Sequence, residues 1–165
     1  MSAVEVMYQG AVHRHGCNAS PSQPGQSAFG AIWEIIQILR ADPLTDWSAV
    51  DLDALRQHLI DMDEVTLHAE AEVRRIDGGI QVAVTGRGRT LDAVRRILVK
   101  DAAHLTGNDG WTVRATDLPN GVTLIATAAD PKQATIIQGL GFASVMASGT
   151  HHQQHHLAIA RGEHF

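Results

Sequence analysis

The stretch Glu70–Gly86, EAEVRRIDGGIQVAVTG, is the part of the sequence that decides the fold. It contains two strand-like runs on either side of the Asp-Gly-Gly segment at positions 77–79, and such a segment is typical of a tight β-hairpin. The second run alternates apolar and other residues, with the apolar positions at Ile80, Val82 and Val84. This period of two predicts a strand with one buried face.

The stretch Trp111–Ala128, WTVRATDLPNGVTLIATA, repeats this arrangement around a second turn at positions 119–121. A helical pattern follows each hairpin: the first helix is predicted to start at a Thr90 cap, the second at an Asp130 cap with Pro131 in its first turn. The sequence therefore predicts an α+β fold. Two ββα units form a four-stranded, mainly antiparallel sheet with helices on one face.

Two helices are predicted before the hairpins and a short histidine-rich helix after them. The segment Phe29–Leu39 is apolar on two faces and ends at Asp42 and Pro43, while the next helix is predicted to begin near Ser48 or Asp51. Residues 1–27 are rich in Gly, Ser, Pro, Gln and Asn and are interpreted as a flexible N-terminal arm. Residues 28–165 are then expected to form a single α+β domain.

Composition limits the classes of function. The chain has 165 residues, a formal net charge of −5 and one cysteine, Cys17, which excludes internal disulfides and CxxC metal or redox motifs. The single cysteine favours a cytoplasmic location. The acidic balance opposes nucleic acid as a partner, and no apolar run is long enough to cross a membrane. Ten histidines are the unusual feature.

Four of these histidines lie in the segment 148–162, SGTHHQQHHLAIARG. Thr150 and Gln153 match a capping box, which predicts a helix over residues 151–161. On a helix, residues four apart lie on the same face, so His151 pairs with His155 and His152 pairs with His156. The apolar residues that follow place the second pair on the inner face. The sequence thus predicts His152 and His156 as inner ligands of a transition metal, and His151 and His155 as an outer pair.

Two imidazoles alone bind a metal weakly, so further ligands are expected from the second helix, where residues 58–69 read HLIDMDEVTLHA. Glu64 and His68 are four apart and would give a nitrogen and oxygen site suited to zinc, nickel, iron or copper. His58 and Met62 are the alternative pair, whose thioether favours copper. The sequence HRHGC, with His13, His15 and Cys17, is a second candidate binding segment. His104 and His164 receive no role from the sequence.

Three functions remain open. The first is a metal-binding protein, a carrier, buffer or sensor of copper, zinc or nickel, that uses the HHxxHH helix. The second is a metalloenzyme with an open coordination position at the same cluster. The third is a pH-responsive interaction module that forms a homodimer through the Phe29–Leu39 helix. Against all three stands the reading of HHQQHH as a solvated helix face, and the sequence leaves open whether the protein is an enzyme.

Overall fold

The computed structural model of the protein describes residues 27–148 and 151–163. The predictions for the N-terminal arm, including His13, His15 and Cys17, lie outside the described residues, as do the predicted cap Thr150 and the unassigned His164. The side chain of His151 is likewise not described.

In the described residues, the chain forms five α-helices and four strands, in the order expected from the two hairpins. The elements are α1 (Ser27–Ala41), α2 (Leu52–Asp63) with a π-helical turn (Glu64–His68), β1 (Glu70–Ile76), β2 (Gly79–Thr85), α3 (Arg89–Leu105), a 3-10 turn (Asn108–Gly110), β3 (Trp111–Leu118), β4 (Gly121–Ala128), α4 (Pro131–Ala147) and α5 (His151–Ala160). None of the helices in residues 27–148 and 151–163 combines the length and the apolar character that crossing a bilayer requires.

The four strands form one antiparallel sheet in the order β1-β2-β4-β3, which confirms the predicted α+β class. The two hairpins meet through their second strands, β2 and β4. At both ends of this central pairing the strands approach so closely that only glycine fits. A Cβ atom on Gly79 would overlap the carbonyl oxygen of Ala126, and one on Gly121 would overlap that of Val84. These glycines therefore serve strand pairing as well as the turns.

Two hydrophobic cores result. The larger one lies between the sheet and helices α3 and α4, and contains the alternating residues of β2 and β4 that the sequence identified. The smaller one joins α1, α2 and α5 around Ile35, Leu39 and Leu55. Met62 packs against both cores. Helix α2 thus connects the helical cluster to α3, and the histidines lie at this junction.

Of the three predicted helix caps that lie in the described residues, two are found. The carboxylate of Asp51 accepts a hydrogen bond from the Ala54 amide at the start of α2, and Asp130 accepts one from Lys132 at the start of α4. Thr90 does not cap α3, which begins at Arg89 without a side-chain cap. The Thr90 hydroxyl donates instead to a carboxylate oxygen of Glu64, at 2.9 Å, so a tertiary partner replaces the local one.

Candidate metal centre

Five imidazoles from three helices gather at the junction of α2, α3 and α5. The ring of His58, on α2, lies 4.9 Å from that of His155 and 5.4 Å from that of His156, measured between centroids. Both contacts are edge-to-face, with interplanar angles of 75° and 67°. The cluster extends to His104 on α3, 5.6 Å from His155, and to His152, 6.3 Å from His156.

The amphipathic pattern of α2 explains why His58 points inward. His58 is three residues after Leu55 and one before Leu59, so it lies on the face that α2 buries against its neighbours. Helix α5 is held against this face by Ala160, which is fully buried and whose carbonyl accepts a hydrogen bond of 2.8 Å from the Asp51 amide. The start of α2 and the end of α5 are thereby fixed together.

Two of the rings are oriented by backbone carbonyl groups. Nε2 of His152 lies 2.8 Å from the carbonyl oxygen of Met146, and Nδ1 of His104 lies 3.0 Å from that of Lys100. A carbonyl oxygen only accepts hydrogen bonds, so these nitrogens must carry the protons. In the neutral rings the lone pair is then on the other nitrogen, which is the usual arrangement for a histidine that binds a metal.

Burial keeps the central histidine neutral. Burial, reinforced by the positive charge that His155 and His156 would carry, lowers the pKa of His58 from 6.5 to about 3. Nε2 of His58 is inaccessible to solvent and has no hydrogen-bond partner among the described residues. The pKa of His155 is also lowered, mainly by burial and then by His104 and Lys100. At neutral pH these two rings are therefore in the state that binds metal ions.

Two buried carboxylates flank the rings. Burial raises the pKa of Asp101, on α3, although the nearby His152 and His104 act in the opposite direction. Burial also opposes ionisation of Asp61, but two hydrogen bonds from Arg96, of 2.8 and 2.9 Å, outweigh it and lower the pKa. Asp61 is thus paired with Arg96, whereas Asp101 is the carboxylate next to the histidines.

A cavity of about 260 Å³ opens beside the cluster. His58 and His155 form part of its wall, together with Asp101 and the cationic side chains of Arg96 and Lys100. A second cavity, of about 180 Å³, is lined by His152 and Asp101 and by two methionines, Met62 and Met146. Asp101 contributes to both walls.

The structure brings together some of the residues that the sequence singled out. His58, His152, His155 and His156 share the cluster, and His155, expected in an outer pair, lies nearest to His58. Met62 is not among the rings but packs in the two cores and lines the second cavity beside His152.

Glu64 and His68 are engaged elsewhere. One oxygen of Glu64 accepts hydrogen bonds of 2.9 and 2.6 Å from Arg89, and the other lies 3.6 Å from Nδ1 of His68. His68 lines a separate depression with residues of the loop that precedes α3, among them Gly86 and Arg87. The two side chains do pair with each other, as their spacing predicts, but they do not face the histidines of α5.

Sequence reasoning missed Asp101 and His104. A signal for Asp101 was present, because it falls in the buried stripe of α3 that also contains Val94, Leu98 and Leu105. A carboxylate at a core position is unusual and points to a polar partner across the interface. His104 lies one turn further on and is exposed in the helix pattern, so no local signal distinguishes it.

Within the described ranges, no three histidine, cysteine, aspartate or glutamate side chains already form a metal-binding group. His58 lies edge-to-face with His155 and with His156, as neutral imidazoles pack, whereas the other two ring pairs are tilted. No family model, curated protein or solved structure matches the chain.

Proposed function

We propose that this protein binds a transition metal ion through imidazoles of α2 and α5, with His58, His155 and His156 as the central ligands. The observation that carries the proposal is the buried Nε2 of His58, which no described residue satisfies although three further histidines stand nearby. A buried polar atom without a partner is costly, and a metal ion would remove that cost.

The spacing of the rings supports this assignment. With metal-to-nitrogen distances of about 2.0–2.1 Å, two imidazoles on one tetrahedral ion have centroids roughly 5 Å apart. The centroid distances from His58 to its two neighbours are 4.9 and 5.4 Å. The rings would have to rotate from their edge-to-face packing to direct their nitrogens at a common point, and the χ2 torsion of an imidazole has a broad preference that permits such a rotation.

The donor set indicates the class of metal. Neutral imidazoles with one nearby carboxylate, Asp101, suit zinc, copper and nickel better than calcium or magnesium, which prefer oxygen ligands. His152 and His104 flank the central three and would complete the coordination or orient it. With ligands from separate helices, the protein would act as a carrier, buffer or sensor whose helical layer tightens on loading.

Competition against a chromogenic chelator, with Zn²⁺, Cu²⁺ and Ni²⁺ in turn, tests the proposal on the full chain. His58→Phe and His156→Phe remove the ligand nitrogen while keeping an aromatic ring, and each should weaken binding by at least about tenfold. His68→Phe is the matched control, since His68 is exposed and outside the cluster. Its affinity should remain that of the wild type.

The candidate segment HRHGC requires its own control. A variant with His13→Ala, His15→Ala and Cys17→Ser should keep the high-affinity site, because the central ligands are elsewhere in the chain. The proposal is wrong if His58→Phe and His156→Phe bind each metal as tightly as the wild type, or if His68→Phe is as damaging as they are.

A second function, a metalloenzyme at the same site, is favoured by one observation. The 260 Å³ cavity reaches His58 and His155, so a small molecule in it would have access to a metal with an open coordination position. In the Co²⁺-loaded protein, azide or phosphate would then change the visible spectrum by binding to the metal. A spectrum that neither anion alters indicates a closed site and favours the carrier.

A further inference from the structure

The two edge strands of the sheet, β1 and β3, differ in how far other residues bond to their outward-directed backbone groups. At the β3 edge, the carbonyl of Trp111 accepts a hydrogen bond of 2.8 Å from the Gly107 amide. The amide and carbonyl of Val113 both bond to the Thr106 hydroxyl, at 3.0 and 2.9 Å. The loop after α3 therefore satisfies the outward-directed backbone groups at the start of this strand, and that part of the β3 edge is closed.

The opposite edge, β1, pairs only with β2 in the described part of the chain. Hydrogen bonds at the ends of the central pairing show which backbone groups point outward. The amide of Ala128 bonds to the Gly78 carbonyl, and the amide of Gly86 to the Asn120 carbonyl. Residues 78 and 86, which lie just outside the Gly79–Thr127 and Thr85–Gly121 pairs, therefore bond toward β4. Successive residues of a strand bond to opposite sides, so positions 79, 81, 83 and 85 bond to β1 rather than to β4.

The partners of those four positions are residues 70, 72, 74 and 76 of β1. By alternation, Ala71, Val73 and Arg75 direct their amide and carbonyl groups away from β2, toward the open edge. No hydrogen bond from the described residues reaches these backbone groups. The strand is seven residues long, and such an edge is a template for another strand.

The sequence of β1, EAEVRRI, is complementary to itself. If two copies run antiparallel with Val73 opposite Val73, then Glu72 lies opposite Arg74 and Arg74 opposite Glu72. Glu70 is diagonal to the same arginine and within reach of it. Opposite charges in direct cross-strand positions stabilise a pair of strands, and this register provides two such pairs.

We propose that β1 pairs antiparallel with β1 of a second copy of this chain, about a twofold axis at Val73, to give one continuous eight-stranded sheet. The axis falls on a residue whose backbone groups face the open edge, so the two valines exchange hydrogen bonds. The contact is isologous, as expected for a homodimer, and it closes the open β1 edge of each sheet.

Helix α4 lies beside this interface, where the Gln138 side chain donates a hydrogen bond of 3.1 Å to the Ile76 carbonyl of β1. Val73 of β1 is 46% exposed. The twofold axis brings the two copies of α4 and the two Val73 side chains to the same face of the joined sheet. This interface is distinct from a dimer through the Phe29–Leu39 helix and does not depend on metal.

Charge reversal tests the register. Glu72→Arg places two arginines opposite each other in both symmetric positions, and Arg74→Glu does the same with two glutamates. The double variant Glu72→Arg/Arg74→Glu restores both pairs. Within one chain these residues lie opposite Ala83 and Gln81, which are uncharged, so the β1–β2 pairing is not affected.

Sedimentation equilibrium in the presence of a chelator should find the wild type dimeric in the micromolar range, each single variant at least about tenfold weaker in self-association, and the double variant near the wild type. A wild type that remains monomeric at high micromolar concentration overturns the proposal. A single variant as dimeric as the wild type also overturns it, because the dimer would then use another surface.

Cross-linking provides an independent reading of the same register. In a Cys17→Ser background, Val73→Cys places two thiols opposite each other at the twofold axis, and mild oxidation should yield a covalent dimer. Thr112→Cys, an exposed position on the β3 edge strand, is the matched control and should remain monomeric under oxidation. Equal yields from the two variants would contradict the proposed pairing.

Discussion

At the scale of single residues, burial changes the chemistry of His58 more than any neighbour does. Burial lowers its pKa from 6.5 to about 3, so between these values the folded protein binds fewer protons than the unfolded chain. The contribution of neutral His58 to stability is therefore fully present above pH 6.5. The free energy of unfolding decreases as the pH falls from 6.5 toward 3. One proton contributes a slope of at most about 1.4 kcal/mol per pH unit.

We expect metal-free protein to lose stability between about pH 6.5 and pH 4.5, measured by urea unfolding with a chelator present. His155, whose pKa is also lowered, acts in the same direction. Asp101 acts oppositely, because its raised pKa gives stability that is lost as the pH rises above 3.8. His58→Gln isolates the contribution of His58, and the free energy of unfolding of this variant should fall less steeply with decreasing pH than that of the wild type. His68→Gln should keep the slope of the wild type. Equal slopes for all three proteins would exclude His58 as the cause.

Two glycines of the central strands give a second prediction at this scale. Gly79→Ala and Gly121→Ala should each lower the free energy of unfolding by about 1–3 kcal/mol, because the new methyl group overlaps a carbonyl oxygen of the neighbouring strand. Gly139→Ala is the control: a Cβ atom there meets nothing within 4 Å, and the residue is inside helix α4. That variant should be more stable by roughly 0.5–1 kcal/mol. Thermal or urea unfolding measures all three.

At the scale of elements, an ion pair between the buried Asp61 and the half-exposed Arg96 joins α2 to α3 next to the histidine cluster. Asp61 is 5% exposed and receives both hydrogen bonds of the Arg96 guanidinium. Removal of the arginine alone would leave a buried carboxylate without its counter-charge, which costs more than the pair itself contributes.

Arg96→Met should therefore lower the free energy of unfolding by about 1–3 kcal/mol, a value reduced from that of a fully buried pair because half of the arginine side chain is exposed. The control is Arg161→Met, which breaks the exposed pair between Arg161 and Asp42, N–O distance 3.1 Å, and should cost about 0–1 kcal/mol. Urea unfolding at neutral pH compares them, and similar losses for the two variants would refute the role of burial.

At the scale of the whole molecule, the ligands of the proposed metal site connect the two hydrophobic cores. His58 belongs to the helical cluster of α1, α2 and α5, whereas Asp101 and His104 belong to α3, which packs on the sheet. A bound ion would thus hold the helical layer to the rest of the domain.

Saturating Zn²⁺ should raise the melting temperature, since a ligand that binds only the folded state stabilises it by mass action. Hydrogen exchange should slow most in α2 and α5 and least in β2 and β4, whose amides the larger core already protects. His58→Phe should abolish both effects. If metal slowed hydrogen exchange equally in the sheet and in the helices, the ion would not be acting locally on α2 and α5.

Much of the fold could be predicted from local patterns. The alternation at Ile80, Val82 and Val84, the turn residues at 77–79 and 119–121, and the Asp51 and Asp130 caps act over a few residues, and each is found in the structure. The predicted Thr90 cap is not formed, because Glu64, 26 residues away in the chain, binds the Thr90 hydroxyl instead. A pattern that depends on neighbours in the chain carries no information about such a partner.

The sequence by itself determined the α+β class, the pairing of each hairpin and the segment from which the histidines come, because hydrogen-bonded turns and apolar periods are local. Only the tertiary structure decided that His58 joins the histidines of α5, that Glu64 and His68 turn instead toward Arg89, and that Asp101 and His104 complete the junction. The physical reason is that these contacts depend on how helices distant in sequence pack against each other. That packing is fixed by the summed burial of two cores rather than by the spacing of any one motif.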